Sequence, residues 1–429
     1  MPQRFFTDES TLPAALIDRT FVCATTLCVL ILSARCNAAD DERHPGPRAT
    51  AYQAEPNRTA LRARIDQAVT PLLSTHAVPG LAVAVTLNGQ VSYFNYGVAQ
   101  IASRAPVTEN TLFEIGSVSK TFTATLGAYA EAVGALRMND HPSRYLTALQ
   151  GTPLDSATLQ QLATYTAGEL PLQFPDAVQD PASMSDYFRR WQPISPAGTQ
   201  RLYSNPSIGL FGLIAAQALQ REFNDAMQTI LFAPLGLKHT YLQVPAEAVG
   251  AYAWGYNRAN QPTRANPGVL DAETYGIKTS SADLLRFVQL QIDPEALPPA
   301  LRQAVHATHL GRYQVGPMVQ GLGWEQYSFP VPLAQLLAGN SEAMLFDPNP
   351  VRWIFPARRE AVAGSILYDK TGSTNGFGAY VAVVPAAHIG VVILANKNYP
   401  IAARVTAAHQ ILGELARQAG SVASAHTLE

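Results

Sequence analysis

The chain holds three cysteines in 429 residues, Cys23, Cys28 and Cys36, and none beyond them. Everything after position 36 is therefore without a disulfide framework, a thiol nucleophile or a thiolate metal site. Charge is also scarce: Asp, Glu, Lys and Arg make up 14% of the residues, with a formal net charge of -2. With neither a basic run nor an acidic tail, no nucleic-acid partner is expected. Among the histidines only His306 and His309 lie close together. No Asp or Cys clusters with them, so no metal and no other cofactor is expected. Long hydrophobic runs are missing too. The longest candidate, Thr20 to Ala34, is too short to span a bilayer comfortably.

That run is followed by small residues, Cys36-Asn37-Ala38-Ala39. Residues 1–39 read as a secretory signal peptide cleaved near Ala38 or Ala39, leaving no stable membrane anchor. Arg35 stands where a lipoprotein site at Cys36 would need a small residue. Residues 40–57, charged and then rich in Pro and Gly, read as a flexible lead-in.

The 429-residue chain is 47% hydrophobic, enough for one large domain or two intertwined ones. Leu61, Ile65, Ala68, Val69 and Leu72 recur at helical spacing. Leu81 to Leu87 and Val91 to Tyr96 are β-rich runs joined by Asn88-Gly89, a strong hairpin signal. From Lys120 to about Leu237 the pattern is mostly helical, interrupted by a proline-bearing loop at Glu169 to Pro175. Ala246 to Ala272 reads as a long functional loop. Ile366 to Tyr368, Tyr380 to Val384 and Ile389 to Leu394 are apolar strands, and Ala402 to Leu415 is a closing helix. The fold class expected is α/β (α+β): an antiparallel sheet built from both termini (58–114 and 241–425) and flanked by helices. An all-helical domain (115–240) would be inserted between them, with the site at their junction. No apolar stripe calls for an oligomer, and a monomer is expected.

Lysine is the rarer cation, five among thirty basic residues, and one of the five has a serine three positions before it. Ser117-Val118-Ser119-Lys120 opens a proline-free apolar stretch, so the two side chains would share one face at a helix entry. A serine hydroxyl is a poor nucleophile until a base takes its proton. A lysine can serve when burial or neighbouring positive charge lowers its pKa. Alone, such a pair is more often a cap beside a snorkelling lysine. Tyr203-Ser204-Asn205 precedes Pro206 and a helical run, placing a phenol and an amide at a loop or helix start. A second copy, Tyr93-Phe94-Asn95, lies in a strand and reads as structural. Lys370-Thr371-Gly372 follows a short β run and leads into Ser373-Thr374-Asn375. An edge strand of this kind lets a substrate lie along its backbone, with a cation and hydroxyls near a carboxylate. Lys278-Thr279-Ser280, a near copy before a helix, reads as structural.

The ordered set Ser117-x-x-Lys120, Tyr203-x-Asn205, Lys370-Thr371-Gly372 resembles the penicillin-recognising serine enzymes, and most closely the class C serine β-lactamases. Phe113 to Phe122, Leu170 to Gln173, Leu270 to Gly276 and Leu394 to Arg404 carry the resemblance further, over about Arg58 to Leu415. It implies a periplasmic enzyme that hydrolyses β-lactams, cephalosporins above all, by acylation and deacylation of Ser117. Lys120 and Tyr203 would share the proton transfers, and Lys370 would lower the tyrosine's pKa and hold substrate. The backbone N–H groups of Ser117 and Ser373 would form an oxyanion hole. Asn205 and Gln173 would meet the acylamide side chain. Thr371, Asn375 and Arg404 would surround the substrate carboxylate. Ile401 stands where some members have asparagine, a loss Asn375 would compensate. Related families on this scaffold include D-alanyl carboxypeptidases and esterases, and a penicillin-binding sensor module is the non-enzymatic alternative.

Overall fold

The computed structural model describes the backbone of residues 48–354 and 365–426 and the side chains of 58–354 and 365–420. The expected signal peptide, and the lead-in up to residue 47, lie outside the described residues. The first helix, Arg48–Thr75, begins within the segment expected to be a flexible lead-in, so residues 48–57 are helical instead.

Eleven strands form one sheet among the described residues, and each neighbouring pair is antiparallel. Across the sheet they run Ala105–Pro106, Gln90–Gln100, Gly80–Leu87, Ile389–Ala395, Gly378–Val384, Ser365–Ser373, Glu325–Phe329, Met318–Gln320, Tyr313–Val315, Asn349–Trp353 and Gln200–Arg201. The first hairpin forms as its turn chemistry dictates: Leu87 pairs with Gln90, while Asn88 and Gly89 take φ values of 49° and 81°. Positive φ at both central residues is the geometry that matches strand twist, and Asn-Gly adopts it with little strain. Strands from the two ends of the chain meet where Gly80–Leu87 pairs with Ile389–Ala395.

The central strands are apolar on both faces because both faces are covered. In Gly378–Val384, Ala379, Val381 and Val383 join a cluster with Phe122, Phe287 and Trp324. Tyr380, Ala382 and Val384 join one with Ile65, Val69, Ile411 and Leu415 from the first and last helices. Period-two alternation thus assigns successive residues to two different cores. A third core, with Phe211, Ile214, Tyr165 and Leu162, belongs to the helical part. That part is not wholly helical as expected: Gln200–Arg201 is the edge strand paired to Asn349–Trp353. The 246–272 loop likewise contains a 3-10 turn, Ala246–Ala251, and a small hairpin, Gly255–Tyr256 with Pro262–Thr263.

Candidate active site

Ser117 lies on a 3-10 turn, Gly116–Val118, that runs directly into the helix Ser119–Ala132. Gly116 takes a φ of 51°, and a Cβ there would meet Ser373 N at 2.5 Å. A Cβ on Gly372 would meet Ile115 O at 1.9 Å. Glycine at both positions lets the turn that carries Ser117 press against the end of strand Ser365–Ser373. The two backbone segments expected to supply the oxyanion hole are therefore neighbours.

Lys120 is fully buried one turn below Ser117. Its Nζ donates to Ser117 Oγ at 3.0 Å and to the Thr274 carbonyl at 2.9 Å. Burial pulls its pKa down to about 8, and Lys370 contributes in the same direction. Tyr203 stands on an extended segment before the helix Asn205–Ala218, whose first turn is capped by Ser204 Oγ accepting from Ser207 N at 3.0 Å. Its ring centroid is 5.3 Å from Lys120 Nζ and 5.0 Å from Lys370 Nζ. Burial alone would raise the phenol's pKa, but the two ammonium groups outweigh it and hold the phenol below the usual tyrosine value, with a smaller contribution from the Ser117 hydroxyl beside it. The hydroxyl has no partner meeting hydrogen-bond geometry. Lys370 shifts the other way. Burial would lower its pKa, yet the Glu325 carboxylate, accepting from Nζ at 3.2 Å, raises it.

One open cleft is lined by Ser117, Gln173, Tyr203, Asn205, Lys370, Thr371, Gly372 and Ser373, with Ile401 at the start of the last helix. Gln173 is exposed, and Asn205 is buried with Oδ1 free of any hydrogen bond. Two expected carboxylate contacts are elsewhere. Asn375 is exposed and off the cleft wall. Arg404 is buried behind the strand, donating to the Gly372, Ala379 and Tyr399 carbonyls and to Ser373 Oγ. Its reach is taken up by backbone acceptors, so it braces the strand end instead of facing substrate.

Two charged residues were not foreseen. Arg201, buried on the edge strand, lies 3.6 Å from Glu325, with its guanidinium carbon 5.5 Å from the Tyr203 ring centroid. Glu325 sits between Arg201 and Lys370, and both residues line the cleft. Arg201 precedes Tyr203 by two in an extended segment, which was a usable signal; Glu325, between Trp324 and Gln326, belongs to no spaced motif. Tyr165, with a φ of 62°, places its ring 4.7 Å from that of Tyr203. Among the described residues, no cluster of three or more His, Cys, Asp or Glu is arranged to hold a metal ion. His306 lies in the last turn of the helix Pro299–Thr308, and His309 stacks on Tyr368 at 4.3 Å.

A family model described as Beta-lactamase matches residues 65–416. A β-lactamase of Pseudomonas fluorescens is 52% identical over 357 residues, 83% of this chain and 99% of its own length. One from Escherichia coli (strain K12) is 42% identical over 392 residues, 91% and 99% of the two lengths. Among solved structures, a class C β-lactamase in complex with cefoxitin aligns at a TM-score of 0.79 and 42% identity over 83% of this chain and 99% of that one. A protein described as a β-lactamase/D-alanine carboxypeptidase from Pseudomonas syringae aligns at a TM-score of 0.79 and 43% identity, covering 82% and 99%.

Proposed function

Because this chain belongs to the β-lactamase family, we propose that it is a class C enzyme hydrolysing β-lactam antibiotics, cephalosporins above all, through an ester on Ser117. The observation that carries this reading is the cation pair around one phenol: Lys120 and Lys370 flank Tyr203 within 5.3 Å, and Lys120 donates to Ser117 Oγ.

In the forward step Ser117 Oγ attacks the lactam carbonyl carbon, the ring C–N bond breaks, and the serine proton passes by way of Tyr203 and Lys120 to the departing nitrogen. Charge on the carbonyl oxygen falls to the N–H groups of Ser117 and Ser373. In the second step Tyr203 takes a proton from water as the water oxygen attacks the ester carbonyl carbon, the bond from that carbon to Ser117 Oγ breaks, and the proton passes from Tyr203 to Oγ. Gln173 and Asn205 receive the acylamide side chain. Lys370, Thr371 and Ser373 receive the carboxylate, in place of the set that included Asn375 and Arg404. No step needs a metal or other cofactor. Export to the periplasm as a monomer is part of the same proposal, supported by the apolar run before Ala39 and the lack of cysteine after position 36. Among the described residues, no helix is long and apolar enough to cross a membrane.

The test is turnover of a chromogenic cephalosporin by the protein lacking residues 1–39, with and without EDTA, then intact mass after a slow substrate. Chelator-independent turnover with an adduct on Ser117 supports the proposal. Failure to hydrolyse, with cleavage of a D-alanyl-D-alanine peptide instead, would move it to the carboxypeptidase activity named for the Pseudomonas syringae neighbour.

A further inference from the structure

Asp369 is a fully buried carboxylate that the proposed chemistry does not use. It precedes Lys370 on strand Ser365–Ser373. Its Oδ2 accepts from Tyr380 OH at 2.8 Å and from Asn340 Nδ2 at 3.0 Å, while its Oδ1 has no donor. Burying a carboxyl group with one oxygen unmatched is costly, and a hydrophobic side chain would fill the same space without that cost. Asn340 explains what the group holds. It ends the helix Leu333–Gly339 and lines the cleft, as do Gly339, Ser341, Met344 and Leu345. The fit there is tight, since a Cβ on Gly339 would meet Tyr327 Oη at 2.0 Å. At its far end the same wall is tied by Arg201, whose Nη1 donates to Met344 O at 2.7 Å.

We propose that Asp369 is a specificity-determining positioning residue: through Asn340 it clamps the cleft wall Gly339–Leu345 onto the strand that carries Lys370, and so limits the volume admitted at that end of the substrate. This rests on the reaction proposed above. With Gln173 and Asn205 taking the acylamide end, the wall falls to the substituent at the opposite end of the β-lactam. Burial, then the charge of Glu325, pushes the Asp369 carboxyl up to about 7. The unmatched Oδ1 is the oxygen free to take a proton, so Oδ2 remains an acceptor in either state. Asparagine can present the same carbonyl to both donors.

The experiment compares kcat/KM for two cephalosporins that share an acylamide group but carry a small or a bulky substituent at the other end. Asp369→Ala raises the bulky-to-small ratio by about tenfold, the value of one lost hydrogen bond. Asp369→Asn keeps the wild-type ratio, and so does Tyr380→Phe, which leaves the Asn340 bond in place. Asn340→Ala, a half-buried change that tests the same bond should Asp369→Ala not fold, raises the ratio alike, and the double variant adds nothing more. An unchanged ratio in Asn340→Ala, or equal losses for both substrates in Asp369→Ala, overturns the clamp. A wild-type protein that hydrolyses neither substrate rejects the underlying reaction instead.

Discussion

The Glu325 carboxylate accepts a hydrogen bond from the Lys370 ammonium at 3.2 Å and lies 3.6 Å from the Arg201 guanidinium. All three groups are buried, so the carboxylate neutralises a cluster of cations that would otherwise repel one another around Tyr203. Glu325→Gln removes that charge, and the pKa of Lys370, held up by Glu325, falls. The alkaline limb of kcat/KM then moves to lower pH, because Lys370 loses its proton earlier. Activity at neutral pH drops by about tenfold, the scale of one charge-assisted bond. A pH–rate profile of the variant checks both effects.

Ser117→Ala leaves the fold intact and abolishes turnover. Its circular dichroism matches the parent, and intact mass after a slow β-lactam shows no adduct. Residual hydrolysis above background would remove Ser117 from the reaction.

Tyr203→Phe keeps the ring against Tyr165 and removes the one hydroxyl set between two ammonium groups. Turnover falls by about 10²- to 10⁴-fold, the usual worth of a positioned acid or base. A stopped-flow measurement separates the two half-reactions, and near-normal rates in both would exclude the phenol from proton transfer.

Lys120 carries a stability cost. An unfolded lysine holds its proton up to about 10.5, whereas burial brings the folded value to about 8. Between these values the unfolded chain binds more protons, so stability rises with pH across that window. Lys120→Met, which abolishes activity, therefore raises Tm by about 2–4 °C at neutral pH, equivalent to about 1 kcal/mol. The gain stays below the full shift because the Thr274 carbonyl loses its donor. Calorimetry showing a lower Tm would contradict the burial penalty.

Arg404→Ala removes the donor to three backbone carbonyls and Ser373 Oγ. Loss of stability of about 3 kcal/mol, read by denaturant unfolding, accompanies any loss of activity. A variant of unchanged stability whose KM alone rises for carboxylate-bearing substrates would restore Arg404 to a substrate contact.

Much of this was legible in the sequence because local chemistry and global arrangement agree. Asn88-Gly89 fixed a hairpin, the apolar alternation of 378–395 fixed buried strands, and Ser117-x-x-Lys120 brought its own geometry. What was not legible depends on which way a long side chain turns once packed. Arg404 follows a strand and opens a helix in a way that fits either a brace or a substrate contact, and packing against Tyr399 and Gly378 decides it. Glu325 and Asp369 are single acids on strands. Their partners are distant in sequence, so no spacing announces them. Residues 48–57 carry few apolar side chains to mark a helical face, and the edge strand Gln200–Arg201 is two residues long.

The contact between Gly372 and Ile115 leaves no space for even a methyl group. A chain with only one side of that seam in place has half of the site, since Ser117 and Lys120 arrive on one side and Lys370 on the other. Turnover on refolding therefore requires that both sides of the seam have met.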